Sequence, residues 1–188
     1  MTSIGAQTLA IRGSEKSTYG KLYERLILGV LLEILGFKLV DRENIKNQKK
    51  VFWLSSRDEK RESDATLLFE AGKGVRFDIG FIGRGNPEIS LDKVSRFERE
   101  ITLGNTKWFM ATIIVVDRIG PNSRIEALAK QIGGDIVQMS GAYWPVRVAE
   151  VLKERTGYKS ELLELKNKKV LQYLKKKIAK IDFQKLIK

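Results

Sequence analysis

Two aspartates bracket a stretch of the chain that is predicted to form a β-hairpin. Asp64 and Asp78 have thirteen residues between them, and Asp78 lies inside an otherwise apolar segment, RFDIGFIG. A carboxylate within an apolar strand is costly unless it is paired or binds a metal ion. Asp64 begins the first strand of the hairpin, so we expect its carboxylate to lie near that of Asp78 across the sheet. Such a pair predicts a metal site with oxygen ligands.

Composition narrows the chemistry available to that site. The 188 residues include no cysteine and no histidine, which excludes disulfides, zinc sites and histidine-based catalysis. Oxygen ligands favour Mg²⁺ or a similar ion. The net charge of +12 favours a polyanionic partner, namely DNA, RNA or an anionic membrane surface. Metal-dependent chemistry on nucleic acid is therefore the class of function that the residues indicate.

The length and the apolar pattern predict a soluble globular protein with one main domain. The longest apolar run, 26–37, is interrupted by Glu33 and is too short for a transmembrane helix. The N-terminus lacks the charged start and apolar core of a secretory signal. With no cysteine in the chain, we expect a cytoplasmic protein. We expect no membrane binding, because the helices are patterned to cover a sheet and the polar N-terminal arm lacks bulky apolar anchors.

Helices and strands alternate along the chain, and together they must position the two aspartates. A helix is predicted over 17–37, because apolar residues recur on one face at helical spacing. The predicted strands are 51–56, 65–69, 75–82, 108–116 and 135–139, of which 65–69 and 75–82 form the hairpin. The other predicted helices are 86–103, 124–132 and 144–155. This order predicts an α/β fold in which a mixed β-sheet is flanked by helices.

Three regions are predicted along the chain. Residues 1–16 form a flexible N-terminal arm, and 17–158 form the core domain. Residues 159–188 form a lysine-rich amphipathic extension, of one helix or two, that packs on the same domain. Ten lysines minus three acids give this extension a net charge of +7. Its lysine face is either a solvated helix surface or a surface for DNA contact or dimer support.

Side-chain alternation along the second strand of the hairpin separates the acid from the core. Phe77 and Ile79 share one face, whereas Asp78 and Gly80 share the other. Asp64 and Asp78 together could bind one or two Mg²⁺ ions, with the backbone carbonyl of Ile79 as a further ligand. A metal ion held in this way is suited to in-line displacement at a phosphate.

A hairpin that begins with aspartate and carries an acid on its second strand resembles the PD-(D/E)xK nuclease superfamily. The stretch RESDATLLFEAGKGVRFDIGFIGRGNPEISLDKVSRFERE looks most like a type II restriction endonuclease of a CfrBI-like branch. The resemblance implies a restriction-endonuclease-like core with Asp64 and Asp78 as metal ligands. Ser63 stands where the family has proline, and Gly80 stands where it has a lysine.

The resemblance also implies a substitute for the missing lysine. Lys93 lies thirteen residues after Gly80, on the predicted helix 86–103. In some members of the superfamily a catalytic side chain has migrated from the strand to this helix at similar spacing. Lys93 would then orient the attacking water and stabilise charge on the phosphate oxygen. Glu24, in the first helix, matches the acid that many members place there, which binds a second metal ion or positions a water.

Five further residues are weaker candidates for DNA binding. Arg84 and Asn86 follow the second strand of the hairpin, where they could contact phosphates or bases or simply form a loop. Lys49 and Lys50 precede Trp53, whose ring could stack on bases or lie in the core of an edge strand.

The resemblance implies a Mg²⁺-dependent endonuclease that hydrolyses double-stranded DNA to 5′-phosphate and 3′-hydroxyl ends. Cutting both strands of a palindrome with one active centre per chain implies a homodimer. A cognate DNA methyltransferase would act on the same recognition site. Two alternatives stay open: a repair or junction-resolving nuclease of the same superfamily, and a non-catalytic DNA-binding module, which Gly80 favours.

Overall fold

The computed structural model describes residues 3–45, 48–55, 63–70, 73–80, 109–117, 119 and 134–187. Its first element is a long helix, α1, over Ser3–Ile34. The predicted start at Ser17 was therefore wrong, and most of the predicted arm 1–16 has helical backbone. Polarity alone does not prevent a helix, and this segment contains no proline. The flexibility of the arm stays a prediction.

Helix α1 ends at Ile34, shortly before Gly36 and three residues before the predicted end. Gly36 has a φ of 99°, a left-handed conformation that suits glycine and is typical after the last helical turn. The Tyr158 hydroxyl donates to the Leu35 carbonyl at 2.8 Å, which satisfies one of the carbonyls left without a partner at the helix end. The end of α1 is thus fixed by both local and distant residues.

Within the described residues, six strands form one sheet in chain order. The β1–β2 pair is parallel, β2–β3 and β3–β4 are antiparallel, and β4–β5 and β5–β6 are parallel. This arrangement confirms the predicted mixed sheet. The strands are β1 Lys38–Leu39, β2 Val51–Leu54, β3 Ala65–Glu70, β4 Lys73–Gly80, β5 Phe109–Val116 and β6 Gly134–Gln138.

The predicted strands agree with β2 to β6, but β1 was not predicted. A two-residue strand is too short for any periodicity, so only its partner β2 reveals it. The predicted helices 86–103 and 124–132 and the turn residues 71–72 lie outside the described residues.

The second half of the described chain is helical after β6. Helix α2, Trp144–Thr156, confirms the predicted helix there, and Gly157 ends it with a φ of 74°. A 3-10 turn, Glu161–Glu164, is followed by α3, Asn167–Ile178, and α4, Phe183–Ile187. Of the two predicted alternatives, one helix or two, the lysine-rich extension thus contains two α-helices, with a short turn between them.

One apolar core joins α1 to a single face of the sheet. Phe77 and Ile79 of β4 and Ile113 of β5 belong to it and are fully buried. Leu28 and Leu32 of α1 pack in the same cluster. From the lysine-rich extension, the buried side chains that join it are Leu162, Val170, Leu174 and Leu186. In the part of the chain that the structure describes, no helix is long and apolar enough to cross a membrane.

Candidate active site

The two predicted aspartates meet at one end of the β3–β4 hairpin. Asp64 immediately precedes β3, and Asp78 is the third residue from the end of β4. The backbone N–H of Asp64 donates to Asp78 Oδ1 at 3.4 Å, and the backbone N–H of Ile79 donates to Asp64 Oδ2 at 2.9 Å. Each carboxylate accepts a hydrogen bond from the backbone segment that carries the other. The predicted proximity of the two acids is therefore confirmed.

The register of the hairpin explains this meeting. Ala65 pairs with Phe77 in the antiparallel ladder, so the next position outward places Asp64 opposite Asp78. Alternation along β4 directs Asp78 away from the face on which Phe77 joins the core. Asp78 is only 6% exposed. Donation from backbone N–H groups offsets part of the cost of burying these carboxylates.

A polar frame holds the segment that carries Asp64. The backbone N–H of Ser55, just after β2, donates to the Asp64 carbonyl at 3.1 Å, and the Ser55 hydroxyl donates to the Ser63 carbonyl. The Ser63 and Thr66 hydroxyls lie 2.9 Å apart, and both side chains are buried. The hydroxyl bond of Ser63 ties this backbone to β3.

Sequence reasoning did not identify Ser55 or Thr66 as part of this frame. The only sequence signal for Thr66 was its position two residues after Asp64, which places it on the same face of β3. Ser55 carried no such signal, because its contacts depend on how β2 pairs with β3.

The donor set of the pair fits a hard cation such as Mg²⁺. Both side chains supply carboxylate oxygens, the ligands that such ions prefer. In an extended strand the N–H and C=O of one residue point to the same side, so the Ile79 carbonyl also faces Asp64. Among the described residues, no group of three or more histidine, cysteine, aspartate or glutamate side chains could hold a metal ion. Water and substrate oxygens would complete the coordination.

Glu24 lies on α1 at the level of this site. Its neighbour Arg25 donates from Nη1 to the Ser55 carbonyl at 2.7 Å, and Ser55 in turn bonds to Asp64. Glu24 is half-buried there. It does not form a group of three potential metal ligands with the two aspartates. Its auxiliary role stays a prediction.

Three predicted residues cannot be placed. Lys93, Arg84 and Asn86 lie outside the described residues. Gly80 is described: it is buried at the end of β4, and its carbonyl accepts from the backbone N–H of Asp117 at 3.3 Å.

The remaining candidates for DNA binding flank β2. Lys49 is exposed, and the Lys50 ammonium lies 5.9 Å from the centre of the Tyr158 ring, within the range of a cation–π contact. Trp53 pairs with Thr66 across β2 and β3. Its indole nitrogen Nε1 is buried without a hydrogen-bond partner, the one such side-chain atom found in the described part of the chain.

Comparison with known proteins identifies the family of the chain. The sequence model of the CfrBI restriction endonuclease family matches residues 1–124. The chain belongs to the CfrBI restriction endonuclease family. The predicted resemblance is thereby confirmed at the level of this family.

A relative in the CfrBI family extends the match along the chain. The type II restriction enzyme CfrBI of Citrobacter freundii is 46% identical over 188 residues, which cover 99% of this chain and 52% of that enzyme. The chain thus spans about half the length of this relative. No solved structure matches the chain.

Proposed function

We propose that this chain is a type II restriction endonuclease that hydrolyses double-stranded DNA with the help of Mg²⁺. The observation that carries the proposal is the pair of aspartates, joined by reciprocal backbone hydrogen bonds, in a chain of the CfrBI family. The chain spans only about half the length of its relative, so the similarity to that enzyme does not by itself assign the activity to this chain. The proposal therefore rests on the site as well as on that similarity.

In this proposal Asp64, Asp78 and the carbonyl of Ile79 hold the metal ion. When bound there, Mg²⁺ offsets negative charge on the phosphate undergoing hydrolysis. Lys93 orients the attacking water and donates to a phosphate oxygen. It takes the role of the lysine that the superfamily carries at the position of Gly80. The oxygen of the attacking water bonds to phosphorus as the P–O3′ bond breaks, so the phosphate stays on the 5′ end and the 3′ oxygen takes up the proton that the water releases. Glu24 is assigned a supporting role in positioning water.

The same proposal covers the partners and the organisation of the protein. Two copies of the chain would supply two active centres, one for each strand of a palindromic site. The weak candidates Lys49, Lys50, Trp53, Arg84 and Asn86 would contact the duplex. A methyltransferase specific for the same sequence would protect the host DNA. The proposed organisation is an N-terminal arm of residues 1–16, a core domain of 17–158 and a helical extension of 159–188. The enzyme is proposed to be cytoplasmic.

Digestion of a sequenced phage genome with Mg²⁺ tests the activity. Discrete fragments whose ends map to one sequence are expected. A smear would instead select the non-specific repair type of nuclease. Asp78→Asn should abolish the fragments, whereas Asp135→Asn, which changes an acid paired with Arg155 at the surface, should leave them unchanged.

Lys93→Ala tests the substitute lysine. Cleavage should fall by at least about 100-fold while DNA binding persists, because the general acid–base and orienting contribution of one side chain is of that order. The matched control is Lys153→Ala, which removes an exposed lysine from α2. Full cleavage by Lys93→Ala would remove Lys93 from the proposed site.

The second candidate function is a DNA-binding module without catalysis. Gly80 favours it, because no lysine follows Asp78 at the position where the superfamily carries one. Tight, salt-sensitive DNA binding without cleavage in Mg²⁺ or Mn²⁺ would establish this alternative.

A further inference from the structure

The C-terminal helix α4 is joined to the site edge of the sheet by one guanidinium group. Arg25 Nη1 donates to the Ser55 carbonyl at 2.7 Å, and Arg25 Nε donates to the Leu186 carbonyl at 3.2 Å. The two acceptors are 30 and 161 residues away from Arg25 in sequence. One side chain of α1 therefore connects the end of β2 with the last turn of α4.

The Ser55 end of this connection leads directly to the proposed metal ligand. Ser55 donates its N–H to the Asp64 carbonyl at 3.1 Å and its hydroxyl to the Ser63 carbonyl. Asp64 in turn accepts from the N–H of Ile79. A shift of Ser55 would therefore move the backbone that carries the Asp64 carboxylate relative to Asp78.

The Leu186 end depends on Arg25 in a different way. Helix α4 has five residues, too few to be stable as an isolated helix. The Leu186 carbonyl belongs to the last turn, where carbonyls have no partner within the helix, and a basic side chain can satisfy them. The Leu186 side chain is fully buried, and a Cβ added at Gly29 would lie 2.5 Å from its Cδ2. Gly29 thus makes the space that lets α4 approach α1.

Only arginine can make both bonds at once with this geometry. Its planar guanidinium presents donors in a fixed fork, and Nε and Nη1 point to different acceptors. A lysine has a single nitrogen at the end of a flexible chain and would satisfy one carbonyl at the expense of the other.

We propose that Arg25 is a positioning residue that couples the C-terminal helix to the metal site, so that the affinity of the site for a divalent cation depends on how α4 is docked. The inference rests on the proposed function, in which Asp64 and Asp78 hold that cation. This role in metal binding, assigned to the end of the lysine-rich extension, could not be predicted from the charge of the extension.

The test measures Mn²⁺ binding to the full chain without DNA, by electron paramagnetic resonance. Arg25→Met should raise the dissociation constant of Mn²⁺ about tenfold, as loss of a residue that orients metal ligands typically does. Arg25→Lys, which keeps one bond, should give a smaller increase. Gly29→Ala, which leaves Arg25 in place but displaces Leu186, should shift the constant in the same direction.

The matched control is Val170→Ala, which removes a buried side chain of α3 far along the chain from Asp64. It should lower the melting temperature without changing Mn²⁺ affinity. A purely structural role for Arg25 predicts that Arg25→Met and Arg25→Lys bind Mn²⁺ as Val170→Ala does at a temperature where all are folded. That result would overturn the inference.

Cleavage kinetics separate this inference from the proposed function. We expect Arg25→Met to lower kcat about tenfold and to leave KM for DNA within about twofold, because the change acts on the metal ligands rather than on DNA contacts. If Asp78→Asn neither weakens Mn²⁺ binding nor reduces cleavage, the proposed function fails. If Asp78→Asn does both and Arg25→Met does neither, only the role of Arg25 fails.

Discussion

Strand β4 presents two chemically different faces. Phe77 and Ile79 leave it on the side where the leucines of α1 complete the core, and both are fully buried. Asp78 leaves it on the opposite side, where Ile114 and Val116 of the neighbouring strand β5 are also buried but do not belong to that core cluster. The second face is therefore buried without being uniformly apolar.

Polar groups on the second face obtain partners from backbone and hydroxyl groups. Asp78 accepts from the N–H of Asp64, and the hydroxyls of Ser63 and Thr66 bond to each other. On the α1 side, by contrast, burial raises the pKa of Glu33, with Lys185 opposing and Asp182 adding to that shift. This difference indicates that carboxylates can be buried on the second face of the sheet because backbone N–H groups of the β3–β4 hairpin donate hydrogen bonds to them.

On the second face, the largest expected effect is a loss of cleavage activity with little change in stability. Asp64→Asn should reduce cleavage by about 1,000-fold or more, because the substitution removes a proposed ligand of a metal ion that would contribute several kcal/mol to the reaction. Asparagine keeps an oxygen that can accept from the Ile79 N–H, so the free energy of unfolding should change by less than about 1 kcal/mol. Gel assays of cleavage and urea denaturation measure the two quantities. If Asp64→Asn cleaved DNA at the wild-type rate, the second face would not carry the catalytic site, and the contrast between the two faces would fail.

The apolar face should respond in the opposite way. Phe77→Ala leaves a cavity beneath α1 and should cost about 3 to 5 kcal/mol of unfolding free energy. At a temperature where the variant is folded, the rate of cleavage should be much less affected than in Asp64→Asn. Ile113→Val, a smaller deletion in the same layer, serves as the control and should cost about 0.5 to 1.5 kcal/mol. Equal costs for the two variants would argue that this face is not tightly packed.

A substitution in the polar frame tests whether its hydroxyl bond stabilises the site end of the hairpin. Ser63→Ala leaves the buried Thr66 hydroxyl without its partner at 2.9 Å and should cost about 1 to 3 kcal/mol. The double variant Ser63→Ala, Thr66→Val removes both polar groups and should recover part of that loss. Denaturation curves of the single and double variants give the comparison, and additive losses would contradict it.

The smallest effect concerns the acid on the α1 side. In the folded chain Glu33 binds its proton more tightly than its ordinary pKa of 4.5 implies. The folded state therefore holds more protons than the unfolded state above that pH, and stability falls as pH rises through the window between the two pKa values. Glu33→Gln should stabilise the protein at pH 7 by less than about 1 kcal/mol, since the group is largely solvated.

Urea denaturation as a function of pH checks this sign. The difference between wild type and Glu33→Gln should shrink as pH falls toward the ordinary carboxyl range. Glu150→Gln is a suitable control, because it removes an acid that pairs with Arg147 at 2.9 Å and should not stabilise the protein. A benefit of Glu33→Gln that is the same at every pH would rule out titration as its cause.

Much of the fold follows from local patterns. Alternation along β3 and β4 predicts both strands, their pairing and the meeting of Asp64 with Asp78, because all of these lie within one hairpin. Strand β1 could not be predicted from two residues, and polarity in residues 1–16 concealed the helical start of α1. Local sequence carries no signal for β1 or for the point at which α1 begins.

The candidate site was predictable only where it is local. The acid pair followed from spacing and from the family resemblance, although the roles of its members stay proposals. The bonds of Arg25 to Ser55 and Leu186 join parts of the chain that no periodic pattern relates. Such contacts arise only when α1, β2 and α4 have packed together, so sequence reasoning could not identify Arg25.

Helix α1 extends well beyond its contact with the site edge. Arg25 lies level with the site edge, and the helix continues for the 22 residues from Ser3 to Glu24, which amounts to roughly 33 Å. That length is about one turn of B-form DNA. Tyr19 and Tyr23, on this stretch, are 67% and 63% exposed. Two exposed aromatic side chains therefore lie on α1 within six residues, roughly 9 Å along the helix axis, of the arginine that contacts the site edge.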